Sequence, residues 1–423
     1  MKKFARIWFH RFVAAVDNPN LLAKARLKAF PRAFTRERKL NFRRTVFTML
    51  DVGRESSSLK QDRLSEYFEK PGEKKKVTQQ AFSKARNQIS EHPIRALFEQ
   101  QIEDEYKGLM GKLPARSDDG WTYLAIDGTK VALPNLPEMR EKYFLIGANA
   151  SSPTALGSCL YDISNNRLID ADFSTKADER ACAVSHMKRY AQLRPGDKKS
   201  MITLDRGYPA IELIQEFEAM EMIYLMRCRR KFNCEIDALP LGCDTTVTID
   251  GSVIRVIKFE LSSGQVETLL TNDNEHKTEE FKQLYFMRWG IECTYLILKN
   301  RFQLENFTGK TEITIKQDFW ATILASTMLM ILEEDVNEQI RKRREDKDNK
   351  YEYQVNRNKF VGIMKDDLIY AFTARTPKGL TTRMNKIIQR AVEYVCPIKP
   401  GRTVPRAENK RKTKFHHNHK SNC

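Results

Sequence analysis

Four residues between Tyr285 and Lys299 bring four different functional groups to one side of a segment with helical periodicity. Tyr285, Arg288, Glu292 and Lys299 fall at about 0°, −60°, −20° and −40° around a helix of roughly 100° per residue. The remaining positions of this segment are largely apolar: Phe286, Met287, Ile291, Ile297 and Leu298. One phenol, one guanidinium, one carboxylate and one amine in a narrow stripe indicate a line of contact with an anionic ligand. The alternative is a structural helix in which Arg288 pairs with Glu292.

Two aspartates stand on apolar strand-like runs elsewhere in the chain. Asp127 follows Leu124, Ala125 and Ile126 and precedes Gly128, and Asp205 ends the run MITLD. A carboxylate at the end of a core strand lies at a sheet edge, where metals and phosphates commonly bind, although an isolated Asp before Gly usually only makes a turn. Magnesium prefers oxygen ligands, and two such ions about 3.5–4 Å apart can drive phosphodiester displacement. That chemistry needs about three carboxylates from separate elements, and basic groups to hold the strand.

The elements that must position these residues read as an α/β domain with a mixed sheet. Strands are predicted in WTYLAIDGTKVAL, in GSCLYDIS and RLIDADFST with a hairpin turn at Asn165-Asn166, and in MITLD and MIYLMRC. Helices are predicted at 178–192, 210–220, 278–301 and 316–342. We expect the catalytic domain to comprise 113–228 and 274–340. An all-β insertion at 229–273, with a turn at Asp250-Gly251, would separate its two parts.

These pieces resemble the DDE transposases of bacterial insertion sequences, specifically the family-four type with the signature Y-x2-R-x3-E-x6-K. Tyr285, Arg288, Glu292 and Lys299 fit that spacing without a gap. Asp127-Gly128-Thr129 and Asp205-Arg206-Gly207 are similar to the family's two aspartate motifs. TLLTN at 268–272, ENFTGKT at 305–311 and AFSKAR at 81–86 also look familial. The resemblance covers roughly residues 78–335.

The resemblance implies a ribonuclease H-like fold with a β insertion, which accounts for the long gap of 292 − 205 = 87 residues. It implies that Asp127, Asp205 and Glu292 bind two Mg²⁺ ions, which Mn²⁺ can replace. Tyr285, Arg288, Lys299 and Arg206 are then expected to hold DNA near the cut. Relatives cleave one strand, form a hairpin and join the reopened end to target DNA. The insertion here has no Trp to support a flipped base, and Phe232 is its nearest aromatic candidate.

Trp289 lies at about +40° on the same helical projection, at the border of the polar stripe. It is a candidate for stacking on an unpaired base. A core tryptophan is the alternative.

Residues 1–112 are basic and predicted to form a helical DNA-binding domain. After the loop at 70–76, Thr78 is a plausible N-cap, and Ala81, Ala85 and Ile89 are expected to form an apolar face beside Phe82. The opposite side carries Gln80, Lys84 and Asn87, which could enter a major groove. A solvated amphipathic helix is the alternative.

Composition narrows the class of partner. The chain has 423 residues and a formal net charge of +18, and nucleic acid is the commonest partner of such a surplus. A membrane partner is not expected, because no basic amphipathic helix stands beside a lipid anchor, and 319–332 is too short to span a bilayer. The eight cysteines include no C-x-x-C pair, which favours a reduced cytoplasm. We expect a helical region at 341–400, a disordered basic tail at 401–423, double-stranded DNA as partner and a homodimer bridging two DNA ends.

Two other functions stay open at this point. The chain could be a non-catalytic DNA-binding protein derived from a transposase, which the three intact carboxylates oppose. It could also be a nuclease that cuts DNA without joining it, since such an enzyme would share the metal site.

Overall fold

A computed structural model describes residues 1–36, 38–51, 77–147, 150–261 and 263–399. The lysine-rich loop at 70–76 and the basic tail at 401–423 lie outside the described residues. The chain divides into two compact units. The first comprises Met1–Pro93, Asn300–Gln303 and Leu324–Cys423, and the second comprises Ile94–Lys299 and Leu304–Ile323.

The second unit is built on one mixed sheet. Its strands are β1 (Thr122–Ala132), β2 (Phe144–Ile146), β3 (Ser152–Asp162), β4 (Arg167–Ser174), β5 (Ser200–Leu204), β6 (Ile223–Cys228), β7 (Asp244–Ile249), β8 (Ser252–Glu260) and β9 (Val266–Thr271). The order across the sheet is β2-β3-β1-β5-β6-β9-β8-β7, and β4 also pairs with β3. β1 is antiparallel to β3 but parallel to β5, and β5 is parallel to β6. The predicted mixed sheet is therefore confirmed.

Local sequence explains the connections in this sheet. β3 and β4 form the predicted hairpin, with Asn166 at a positive φ of 50° in its turn. Asp250 and Gly251 have φ values of 48° and 86°, as a two-residue type I′ turn between β7 and β8 requires. The parallel pair β5 and β6 needs a crossover, and helix α8 (Ile211–Ala219) provides it, burying Leu213, Ile214 and Phe217.

The segment 229–273 differs from the expected all-β insertion in two respects. It contains a short helix, α9 (Cys234–Ala238), whose N-cap Asn233 accepts hydrogen bonds from the backbone of Glu235 and Ile236. Its three strands also continue the central sheet, because β9 pairs antiparallel with β6. The reason is that Leu269 and Leu270 are fully buried, and Leu269 belongs to the same core cluster as Leu225 of β6.

Helices make up most of the first unit and accompany the sheet in the second. They are α1 (Lys3–Val16), α2 (Pro19–Ala25), α3 (Phe42–Met49), α4 (Gln79–Arg86), α5 (His92–Tyr106), α6 (Pro137–Lys142), α7 (Glu179–Leu193), α10 (Thr278–Met287), α11 (Trp289–Asn300), α12 (Glu312–Arg344), α13 (Arg357–Phe372) and α14 (Pro377–Val392). The apolar run 319–332 lies in α12 and is buried, as predicted. Among the described residues, none of the helices is long and apolar enough to cross a membrane.

An aromatic cluster organises the first unit. Phe12 of α1 and Phe47 of α3 lie 5.2 and 5.1 Å, between ring centroids, from Phe372 of α13. The C-terminal region, which was predicted to be helical, also contains two short strands. These strands, β10 (Tyr353–Val355) and β11 (Val395–Pro397), form a two-stranded antiparallel sheet. Residues from both ends of the chain thus build one core.

Candidate active site

The two aspartates lie side by side at the same level of the sheet. In the parallel pairing of β1 with β5, Ala125 is opposite Thr203. Asp127 and Asp205 each come two residues later, and side chains two residues apart on a strand point to the same face. The backbone N–H of Gly128 donates to Asp127 Oδ1 (2.9 Å), and that of Arg206 donates to Asp205 Oδ1 (2.7 Å).

The signature residues approach these aspartates from two helices rather than one. The predicted helix 278–301 is divided at Arg288, where two successive three-residue hydrogen bonds (Arg288 N–H to Tyr285 O, 3.2 Å; Ile291 N–H to Arg288 O, 3.1 Å) join α10 to α11. Tyr285 Oη donates to Asp205 Oδ1 (3.2 Å). Arg288 forms a hydrogen-bonded ion pair with Glu292. The internal Arg288–Glu292 pair that was the structural alternative is therefore present. The same two side chains also belong to the stripe that was predicted to face a ligand.

Lys299, Trp289 and Arg206 lie around this group. Lys299 Nζ donates to the backbone carbonyl of Lys130 (2.6 Å) and lies 3.6 Å from Glu305. Arg206 is exposed, and Trp289 is 47% exposed, so the alternative of a core tryptophan does not hold. Phe286, one of the apolar residues of this segment, is 73% exposed.

The three groove candidates lie in the first unit. Gln80 and Lys84 are exposed on α4, and Asn87 caps its C-terminal end and donates to Ser83 O (2.8 Å). Thr78 caps the N-terminus as expected, accepting from Ala81 N–H at 3.2 Å. The predicted apolar face is wrong, because Ala81 is exposed and Phe82 and Arg86 are the buried side chains of this helix. The helix is too short to reach Ile89, which is buried beyond its end.

Comparison with known proteins identifies the segment that carries these residues. Residues 122–328 match the family described as "Transposase DDE domain". The match covers slightly less than half of the chain, and the segment is similar to that family. A stretch of 78 residues is 27% identical to the protein y4zB of Sinorhizobium fredii, whose name describes it as a transposase. That stretch is 18% of this chain and 22% of y4zB, so the chain matches about a fifth of that relative's length.

A solved structure has a similar fold. The cryo-EM structure of the piggyBac transposase synaptic complex with hairpin DNA aligns with a TM-score of 0.50 and 11% identity, over 96% of this chain and 87% of that one. At this identity the likeness shows the fold. The central strand order β4-β3-β1-β5-β6 of the second unit, antiparallel then parallel, is ribonuclease H-like.

Negative charge accumulates around Asp127. Burial raises the pKa of Asp127 to about 7. The charge of Arg288 and the hydrogen bond from the Gly128 N–H oppose this rise, whereas the carboxylates of Glu179 and Glu292 add to it. Burial lowers the pKa of Arg288, but Tyr285, Glu292 and Asp205 outweigh burial and raise it. The guanidinium of Arg288 therefore stays charged and partly balances the carboxylates.

The backbone of Asp127 is held by residues that the sequence analysis missed. Its carbonyl accepts from Tyr295 Oη (2.6 Å) and from Ser158 Oγ (3.4 Å). Ser158 also pairs with His186 Nε2 (3.0 Å), and His186 Nδ1 pairs with Asp170 (2.7 Å). This buried chain spans β3, β4 and α7. No sequence motif predicts this hydrogen-bonded chain, because its residues are far apart in the sequence and come together only through the fold.

The N-terminus of α7 supplies two further residues at this centre. Arg180 donates to the backbone carbonyls of Gly207 (3.3 Å), Tyr208 (3.0 Å) and Pro209 (3.2 Å), which follow Asp205. The neighbouring Glu179 is half-buried. The placement of Glu179 and Arg180 at this site could not be predicted from the sequence, since an acidic residue after an N-cap Asp is typical of any helix start.

The residues present fit a divalent cation in their chemistry. Carboxylate oxygens are the ligands that Mg²⁺ prefers. Tyr208 Oη and Arg288 Nε are among the buried polar atoms of the described residues that have no hydrogen-bond partner, and both are near these carboxylates, where a ligand with its own polar atoms could satisfy them. Within the described parts of the chain, no three acidic, His or Cys side chains stand close enough to share one ion. The Glu292 carboxylate is turned to Arg288, so it would have to exchange that partner for an ion.

Proposed function

We propose that this protein is a DNA transposase that binds the ends of a mobile element, cleaves there and joins the 3′-hydroxyl ends to target DNA. The observation that carries the proposal is the juxtaposition of Asp127 and Asp205 on parallel strands, with Glu292 electrostatically coupled to Asp127. The family match of residues 122–328 supports it. The partner is double-stranded DNA, consistent with the net charge of +18.

Asp127, Asp205 and Glu292 would hold two divalent ions, Mg²⁺ or Mn²⁺. Such ions, when bound, activate the attacking oxygen and neutralise charge on the leaving one. Tyr285 orients Asp205 through its hydroxyl, and Arg288 positions Glu292. The unpartnered Nε of Arg288 is available to a phosphate oxygen. Lys299 and Arg206 would hold the DNA backbone.

Trp289 is half-exposed beside this group, so its ring can stack on an unpaired base, as the hairpin route would require. The exposed Gln80 and Lys84, with Asn87, would read the element end from a major groove. Two ends must be held together for joining, which calls for a homodimer on DNA. The type of insertion sequence and the cytoplasmic, DNA-associated location belong to the same proposal.

The decisive experiment is cleavage of a supercoiled plasmid that carries the flanking element ends, with Mg²⁺ present. We expect excision and strand-transfer products from the wild type, and a loss of at least about 100-fold with Asp127→Asn. Asp118→Asn, an exposed aspartate, is the matched control and should cut normally. Cleavage without joined product would favour a nuclease, and retarded DNA without cleavage would favour a non-catalytic binding protein.

A further inference from the structure

Glu179 lies against the backbone that follows both aspartates. It is the first residue of α7, fixed there by the N-cap Asp178, which accepts from Ala181 N–H (3.0 Å). A Cβ atom added to Gly128 would lie 2.9 Å from Glu179 Oε1, and one added to Gly207 would lie 3.7 Å from Oε2. The two oxygens of one carboxylate are thus directed towards the Asp127 segment and the Asp205 segment.

Nothing among the described residues satisfies this carboxylate. Glu179 makes no hydrogen bond or ion pair there, although it is half-buried and close to like charges. Burial and the Asp205 charge raise its pKa, and Lys130 and Arg180 only partly oppose them. A carboxylate in such surroundings is costly unless a cation accompanies it.

A second, independent observation points to a ligand at the same place. Tyr208 is 1% exposed, and its hydroxyl has no partner among the described residues. Burial raises its pKa well above the usual value for a tyrosine, and the charges of Asp127 and Glu179 add to this effect. A buried phenol without a partner is a donor for a bound water or oxyanion.

We infer that Glu179 is a fourth carboxylate of the divalent-cation centre, and that its side chain fills the space beside Gly128. The inference rests on the proposed function. Charge supports it, since Asp127, Asp205, Glu292 and Glu179 carry four negative charges and two divalent ions carry four positive ones. Arg288 is then left to face phosphate.

The test is Mn²⁺ binding to the full-length protein without DNA, by calorimetric titration. Glu179→Gln removes the charge and keeps the shape, and we expect Mn²⁺ to bind at least 10-fold more weakly. Glu212→Gln is the matched control, an exposed glutamate in the first turn of α8, and should bind as the wild type does. An affinity of Glu179→Gln within twofold of wild type would overturn the inference.

The variant Asp127→Asn distinguishes a failure of this inference from a failure of the proposed function. Loss of Mn²⁺ binding in Asp127→Asn but not in Glu179→Gln would refute only the role of Glu179, and wild-type protein that binds no Mn²⁺ would refute both.

Melting in EDTA distinguishes a metal-binding role of Glu179 from a purely structural one. Because repulsion is relieved, Glu179→Gln should melt at or above the wild-type temperature without metal and gain less from added Mg²⁺. A melting temperature well below wild type in EDTA would show that Glu179 is structural, and would also overturn the inference.

Discussion

Asp127 combines burial with two neighbouring negative charges, and its protonation is therefore linked to folding. Its pKa in the folded chain is about 7, above the usual value near 4 for an unfolded aspartate. Between these values the folded state binds more protons than the unfolded state, so stability falls as pH rises through this window. Below pH 4 the penalty is absent, and above pH 7 it is complete.

The first prediction concerns Asp127→Asn in metal-free buffer. Because asparagine cannot ionise, the variant should be more stable than wild type above pH 7, by roughly 1–3 kcal/mol. The difference should shrink as pH falls towards 5. Urea unfolding in EDTA at pH 5, 6, 7 and 8 measures it, and a difference that stays constant with pH would contradict the assignment.

The second prediction concerns Glu292. In Glu292→Gln the amide oxygen can still accept from Arg288, so the helix junction and DNA binding should stay intact while cleavage is lost. Gel retardation and plasmid cleavage test the two halves separately. Glu279→Gln, an exposed change in the first turn of α10, is the control and should keep both. Efficient cutting by Glu292→Gln would remove this residue from the proposed centre.

At the scale of elements, the segment after Asp205 depends on α7. Arg180 connects them through three backbone carbonyls, and a charged donor forms stronger hydrogen bonds than a neutral one. Because Asp205 is the last residue before this segment, a looser loop should misplace its carboxylate.

The third prediction is that Arg180→Ala lowers stability by about 1 kcal/mol and lowers cleavage by a larger factor. Lys188→Ala on the same helix, an exposed side chain 4.0 Å from Glu216, should do neither. Denaturant unfolding and cleavage rates provide the comparison. Equal loss of stability and activity in both variants would mean that Arg180 has no special connection to Asp205.

Sequence patterns predicted elements better than their junctions. The strands that carry Asp127 and Asp205 are contiguous apolar runs, so period and composition suffice to locate them. The break at Arg288 was not predictable, because no Pro or Gly precedes it and the bonding changes over only one turn. The exposure of Phe286 was not predictable for a related reason, since a helical projection drawn across a junction places residues at the wrong angle.

Only the part of the candidate site that lies on continuous segments could be predicted from the sequence. Tyr285, Arg288, Glu292 and Lys299 share one continuous segment, where spacing carries information. Glu179 and Tyr208 come to the site through the packing of α7 and the turn after β5, which only the fold specifies. The same holds for Ser158 and His186, whose contacts follow from the register of β3.

At the scale of the whole molecule, the two ends of the chain share one compact unit. Phe9 and Phe12 pack with Phe372, so a fragment ending near residue 112 would expose an aromatic core. DNA binding by the basic N-terminal part should therefore be measured on the full chain. If the protein binds DNA as proposed, the net charge of +18 predicts that phosphate contacts are the main source of affinity.

The fourth prediction is that log affinity for the element end falls linearly with log salt, losing roughly 10³-fold or more between 50 and 200 mM. Lys84→Ala should reduce the slope by about one unit, the contribution of one phosphate contact, while Gln80→Ala should leave the slope unchanged and lower sequence preference. Fluorescence anisotropy with element-end and random duplexes measures both. Affinity independent of salt would contradict binding through the phosphate backbone.

The parallel pairing of β1 with β5 has a consequence for how the protein is made. β1 and β3 are joined locally and can pair as soon as they leave the ribosome, whereas Ala125 meets Thr203 only after a further 78 residues have been synthesised. Glu292 emerges later still. A nascent chain thus holds its acidic residues apart through most of translation, and an interrupted product carries no assembled candidate site.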